Sequence, residues 1–172
     1  MVVDSGAQIP LIGHPQLQSL KQHLEDRCGV TVKWVSEGIT YTGGVGGKAK
    51  LLGEVEIPIG LAGVPGIITM KVAENAIPPL IPGGFLKAMK ANVDYQNNTV
   101  TWNELGPGRV SELIELPSEH VVCRVDQSDG GNWTDPRQSA VVHRITIKQY
   151  YSDSYVNECS GTANDDHGQG RR

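Results

Sequence analysis

The segment Thr42-Gly43-Gly44-Val45-Gly46-Gly47-Lys48 sets four glycines around one valine directly ahead of a strand-like stretch. Glycine is costly inside a helix and cheap in a turn, and its missing Cβ lets backbone N–H groups come close to a ligand. A phosphate-binding loop would need Gly at position 42 and Ser or Thr after the lysine; Thr42 and Ala49 stand there instead, so that reading fails twice. What is left is a mobile hairpin tip. The rest of the chain agrees with it: Gly 21 and Pro 10 make up nearly a fifth of the 172 residues, a balance that favours turns, loops and strands over a helical bundle.

A chain of this length makes one domain, or one domain with an appendage, and an apolar share of 38% builds a modest core. Its character changes near Trp102. Up to that point turn signals separate apolar segments. Val30–Val35, Glu54–Ile59 and Ile67–Val72 read as strands, the second alternating acidic with apolar side chains. Asn92–Tyr95 and Thr99–Trp102 flank Gln96-Asn97-Asn98, whose amide side chains tolerate left-handed backbone, so they read as a hairpin. Pro15–Cys28 is the clearest helix, with Leu17, Leu20, Leu24 and Cys28 recurring every three or four residues, Pro15 in the first turn and Gly29 placed to end it. From 103 to 159 the chain reads as a poorly defined extension with short strands. The segment 160–172, with no apolar residue larger than alanine, reads as a disordered tail.

Several function classes are disfavoured. No apolar run approaches the roughly 18 residues of a membrane helix, and Met1-Val2-Val3-Asp4 has neither region of a secretion signal, so the expectation is a soluble, cytoplasmic protein without membrane contact. A formal charge of −4 and a pI near 5.7 provide no basic field for direct nucleic-acid binding. Cys28, Cys123 and Cys159 are odd in number and far apart, which argues against a disulfide framework. His14, His23, His120, His143 and His167 share no metal-ligand spacing. Asn97 and Asn132 head glycosylation sequons that carry nothing without a secretion signal, and Asp94 reads as a solvated hairpin residue.

Asp4-Ser5-Gly6-Ala7 follows the apolar pair Val2-Val3, and taken alone such a tripeptide is a turn after a strand. Its context gives it weight. Three blocks in order resemble the retropepsins, the single-domain aspartic proteases of retroviruses, retrotransposons and some cellular proteins. They are Val2-Val3-Asp4-Ser5-Gly6-Ala7, the flap-like Gly43-Gly44-Val45-Gly46-Gly47, and Leu80-Ile81-Pro82-Gly83-Gly84-Phe85-Leu86 entering a short helix. Together they cover about residues 2 to 102, and the expected retropepsin-like domain is 1–102, truncated at its N-terminus. The resemblance implies an all-β, mainly antiparallel fold, a closed barrel or sandwich with one or two short helices. It further implies an aspartic endopeptidase, needing no metal or cofactor, that acts on an extended peptide or polyprotein and derives from a retroelement.

Because that chemistry needs two carboxylates sharing a proton and one chain supplies one, the resemblance implies a homodimer with Asp4 facing the second copy's Asp4. It gives Asp4 the catalytic role. Substrate binding falls to Ser5, Gly6 and Ala7 and to Gly44, Val45 and Gly46, with Ser5 also locking the two loops together. Departures are equally specific. Only three residues precede Asp4 where the family has a strand hairpin, Pro82 replaces the glycine after the apolar pair, Gln8 and Gly83 replace both halves of an ion pair, and the Pro15–Cys28 helix lengthens the approach to the flap. The missing hairpin and Pro82 favour an alternative, a catalytically inactive retropepsin-like module that dimerises or binds peptide.

Overall fold

Apolar residues at alternate positions bury one side of a strand, and the longest run of this kind, Val55, Ile57, Ile59 and Leu61, is buried in β4 (Gly47–Leu61). This strand lies antiparallel between β3 (Lys33–Gly44) and β5 (Val64–Ala73). Glu54 of β4 sits opposite Lys71 of β5, and its carboxylate accepts from the lysine Nζ at 2.6 Å. The structure is a computed structural model that describes residues 1–44, 47–129, 135–138 and 143–145. The expected tail at 160–172, Cys159, His167 and the Asn132 sequon lie outside the described residues.

Helix α1 (His14–Cys28) forms where its leucine spacing places it. Leu17 and Leu24 are buried and Leu20 packs against the same core. Gly29 ends the helix at φ 64°, a left-handed conformation that costs a residue with a Cβ, and its N–H donates to the Glu25 carbonyl at 3.2 Å. The strand expected from Val30 begins only at Lys33. Val30 and Val32 are still buried, because the segment leaving α1 packs on the core before it joins the sheet.

The remaining strands are short. β1 (Val2–Asp4), β2 (Leu11–Gly13) and β6 (Leu80–Pro82) form the centre, with β6 parallel to β1 and antiparallel to β2. Helix α2 (Gly83–Ala88) follows β6 directly. β7 (Ala91–Asp94) and β8 (Thr99–Trp102) make the expected hairpin, with Asn98 at φ 51°. Beyond Trp102 the sheet continues: β9 (Val110–Glu115) pairs with β8, and β10 (Val121–Cys123) pairs with both β9 and β1, while β11 (His143–Ile145) runs parallel to β5. Thus β1 has an antiparallel neighbour in β10.

The strand path runs β3-β4-β5-β2-β6-β1-β10-β9-β8-β7. The mainly antiparallel β architecture with two helices is the expected one. The expected closure is not formed among the described residues: β3 and β7 stay as open ends. The pairing of β3 with β4 shifts register between Trp34 and Ser36 and between Glu37 and Thr40.

One core joins both halves. Phe85 and Trp102 meet edge to face at 6.2 Å with their planes 80° apart, and Leu113, Val121 and Cys123 pack into the same cluster. The Trp102 Nε1–H donates to Ser111 Oγ at 3.0 Å, and Ser111 Oγ donates to Gln127 Oε1 at 3.1 Å, so the buried polar groups are paired. Among the described residues no helix is long and apolar enough to cross a membrane.

Candidate active site

Because β6 lies between β1 and β2, the chain leaving β1 at Asp4 must cross the end of β6 to reach β2 at Leu11. Residues 5–10 form this arch. Asp4 opens it as a tight turn: its Oδ1 accepts from the Gly6 N–H at 3.0 Å and the Ala7 N–H at 3.1 Å, and its backbone carbonyl accepts from Ala7 as well. Two N–H groups on one oxygen fix the plane of the carboxylate. Oδ2 has no hydrogen-bond partner among the described residues.

Asp4 stands in register with Pro82, the last residue of β6. Proline has no N–H to offer there, and its φ of −78° leads directly into α2. The close approach falls to Gly83, where a Cβ would lie 2.9 Å from the Ser5 carbonyl oxygen. A glycine is therefore needed one position later than the family pattern places it, since the start of α2 abuts the arch.

The arch faces a cleft of roughly 680 Å³. Asp4, Gly6 and Ala7 form its floor, and Thr42, Gly43, Lys48 and Ala49 of the β3–β4 hairpin form the arm over it. Two of the blocks that carry the resemblance, far apart in sequence, thus meet at one concavity. Gly44 is the last residue of β3 and pairs with Gly47. Val45 and Gly46 lie outside the described residues. Ser5 is exposed, lies behind the floor with its carbonyl against Gly83, and does not line the cleft.

The third wall was not foreseen. Gln8 and Ile9 of the arch and Leu11 of β2 belong to it, with Asn75, Ile77 and Leu80, the last paired with Leu11, beside them. The segment holding Asn75 and Ile77 has no strand or helix of its own. It is pinned by its backbone: the Ile77 carbonyl accepts from the Gly13 N–H at 2.8 Å, and the Ile77 N–H donates to Gln16 Oε1 at 3.1 Å. Gln16 belongs to α1, so the helix that lengthens the approach to the flap also braces this wall. No local sequence signal marks the segment, because the bonds that hold Ile77 come from residues some sixty positions earlier.

Asp94 is an internal control for the turn geometry. Its Oδ1 accepts from the Gln96 and Asn97 N–H groups at 3.0 Å each, as Asp4 Oδ1 does from its own loop. There, however, Oδ2 is taken by the Asn97 side-chain amide at 2.7 Å, and that amide holds the Asp94 carboxyl below its ordinary value. Asp4 differs in facing a cleft with one oxygen free. Neither described cysteine is poised as a nucleophile: burial pushes the thiols of Cys123 and Cys28 up, away from the thiolate. Among the described residues no three His, Cys, Asp or Glu side chains converge as a metal site would require.

No protein-family model and no curated protein matches the chain. Among solved structures it is similar to the retroviral protease-like domain of Ddi1 from Leishmania major, with 22% identity over 59% of this chain and 75% of that one and a TM-score of 0.41.

Proposed function

We propose that the chain is one half of an aspartic endopeptidase of retropepsin type, active as a homodimer in which Asp4 faces the Asp4 of a second copy. The observation that carries this reading is the cleft, where a carboxylate with one oxygen fixed and the other free lies beneath the arm of a glycine-tipped hairpin. The open ends of the strand path at β3 and β7 leave edges that a second copy can meet.

In the dimer, two carboxylates about 3 Å apart cannot both ionise, so one keeps a proton. The ionised member takes a proton from water as the water oxygen bonds to the scissile carbonyl carbon. The protonated member gives its proton to the carbonyl oxygen. The tetrahedral diol then collapses: the C–N bond breaks, the nitrogen takes up a proton from the dyad, and one hydroxyl proton returns to a carboxylate. Atoms balance as one water added across one amide. The hairpin arm closes over the extended peptide and excludes bulk water.

The test is Asp4→Asn. The amide keeps the Oδ1 acceptor for Gly6 and Ala7 but cannot share a proton, so cleavage of a peptide library at pH 5 should fall by at least about a thousandfold with the melting curve nearly unchanged. Cleavage that survives the substitution would reject the dyad. A wild-type chain that sediments as a dimer, binds peptides and cleaves none would favour the inert module, the reading to which Pro82 beside Asp4 lends support.

A further inference from the structure

The cleft contains two charged side chains, Asp4 on its floor and Lys48 on its arm. Neighbouring lysines are already engaged. Lys50 donates to Glu74, just past the end of β5, at 2.7 Å, and Lys71 donates across the β4–β5 pair to Glu54 at 2.6 Å. Lys48 differs in its surroundings. Its cross-strand partner is Gly43, which has no side chain, and among the described residues no carboxylate pairs with it. An exposed ammonium standing over a cleft without a counter-ion is a place for an anionic group of whatever fills the cleft. The opposing wall is apolar at Ile9, Leu11, Ile77 and Leu80.

Resting on the peptidase reading above, we propose that Lys48 is a specificity-determining residue that selects peptides with an acidic side chain, Asp or Glu, where the substrate passes the hairpin arm, next to aliphatic residues seated on the opposite wall. The chain as a whole is acidic, with a formal charge of −4, so long-range attraction does not bring such a peptide in. The selection is local: it arises at contact and weakens with salt.

The experiment uses the full-length Asp4→Asn chain, which binds without cutting, and labelled ten-residue peptides with two central leucines and a single Glu, Gln or Lys moved through the flanking positions. Fluorescence anisotropy should find at least one position where Glu binds about two- to fivefold more tightly than Gln at low salt, the range of an exposed ion pair. Adding Lys48→Gln should abolish the difference, and adding Lys48→Glu should reverse it in favour of the lysine peptide. Equal binding at every position, no binding at all, or a Glu preference that survives Lys48→Gln would overturn the proposal. Cleavage of the Gln peptides by the wild-type chain, read separately, reports on the peptidase reading alone, so either idea can fail without the other.

Discussion

At the scale of single residues the site depends as much on what is missing as on what is present. The Asp4 carboxylate is oriented by the N–H groups of Gly6 and Ala7, and the arch that bears them has room because Gly83 has no Cβ to press on the Ser5 carbonyl. Gly83→Ala would place a methyl 2.9 Å from that oxygen, so the arch or the start of α2 must shift by several tenths of an ångström. Misplacement on this scale is costly to catalysis and cheap to folding. We expect kcat/KM to drop at least about tenfold while the melting temperature moves by only a few degrees, measured on the same preparation. Asp4, Gly6 and Ala7 were readable from sequence because the tripeptide signature is local. The importance of Gly83 was not, since Pro82 occupies the position the family pattern assigns to glycine and the contact that selects glycine comes from residue 5.

Secondary-structure elements divide in the same way. α1 and the β7–β8 hairpin were legible because their stop signals, Gly29 and Asn98, adopt positive φ within the element itself. The 75–79 wall and the short β10 were not, because three-residue pairings and coil segments are fixed by distant partners rather than by periodicity. The cap at Gly29 gives a clean test: a Cβ there meets nothing within 4 Å, so Gly29→Ala carries only the backbone cost of φ 64°. About 1 kcal/mol of stability should be lost, a fall of roughly 2–4 °C in melting temperature, and Gly29→Asn should lose less. In the β7–β8 turn, the Asn97 amide holds the Asp94 carboxyl below its ordinary 3.8. A depressed carboxylate contributes its stability fully above pH 3.8, and that contribution is lost as pH falls through the lower folded value. Melting temperature scanned from pH 5 to 2.5 should therefore decline less steeply below pH 3.8 in Asp94→Asn than in the wild type.

For the whole molecule, the central fact is that β1, three residues long, lies between β6 on one side and β10 on the other. The main-chain bonds between Met1 and Cys123 run in both directions. Leu113, Val121 and Cys123 add to the core that β1 closes. Ending the chain after Trp102 would remove all three and leave β1 with a bare edge. At about 1.5–3 kcal/mol for each of Leu113 and Val121, with Cys123 and the β1–β10 pairing lost as well, the deficit reaches the low end of a small domain's stability. Such a truncated chain should show no cooperative thermal transition, and a sharp melt from residues 1–102 would contradict this account. The same arrangement governs timing during synthesis. The strand bearing Asp4 is made before either of its neighbours, which follow about 80 and 120 residues later, and contacts that span so much chain form late. The Asp4 carboxylate, turned by its own loop, is thus made well before the strands that hold β1 in place. A nascent chain therefore holds no finished cleft until β6 and β10 have both been made.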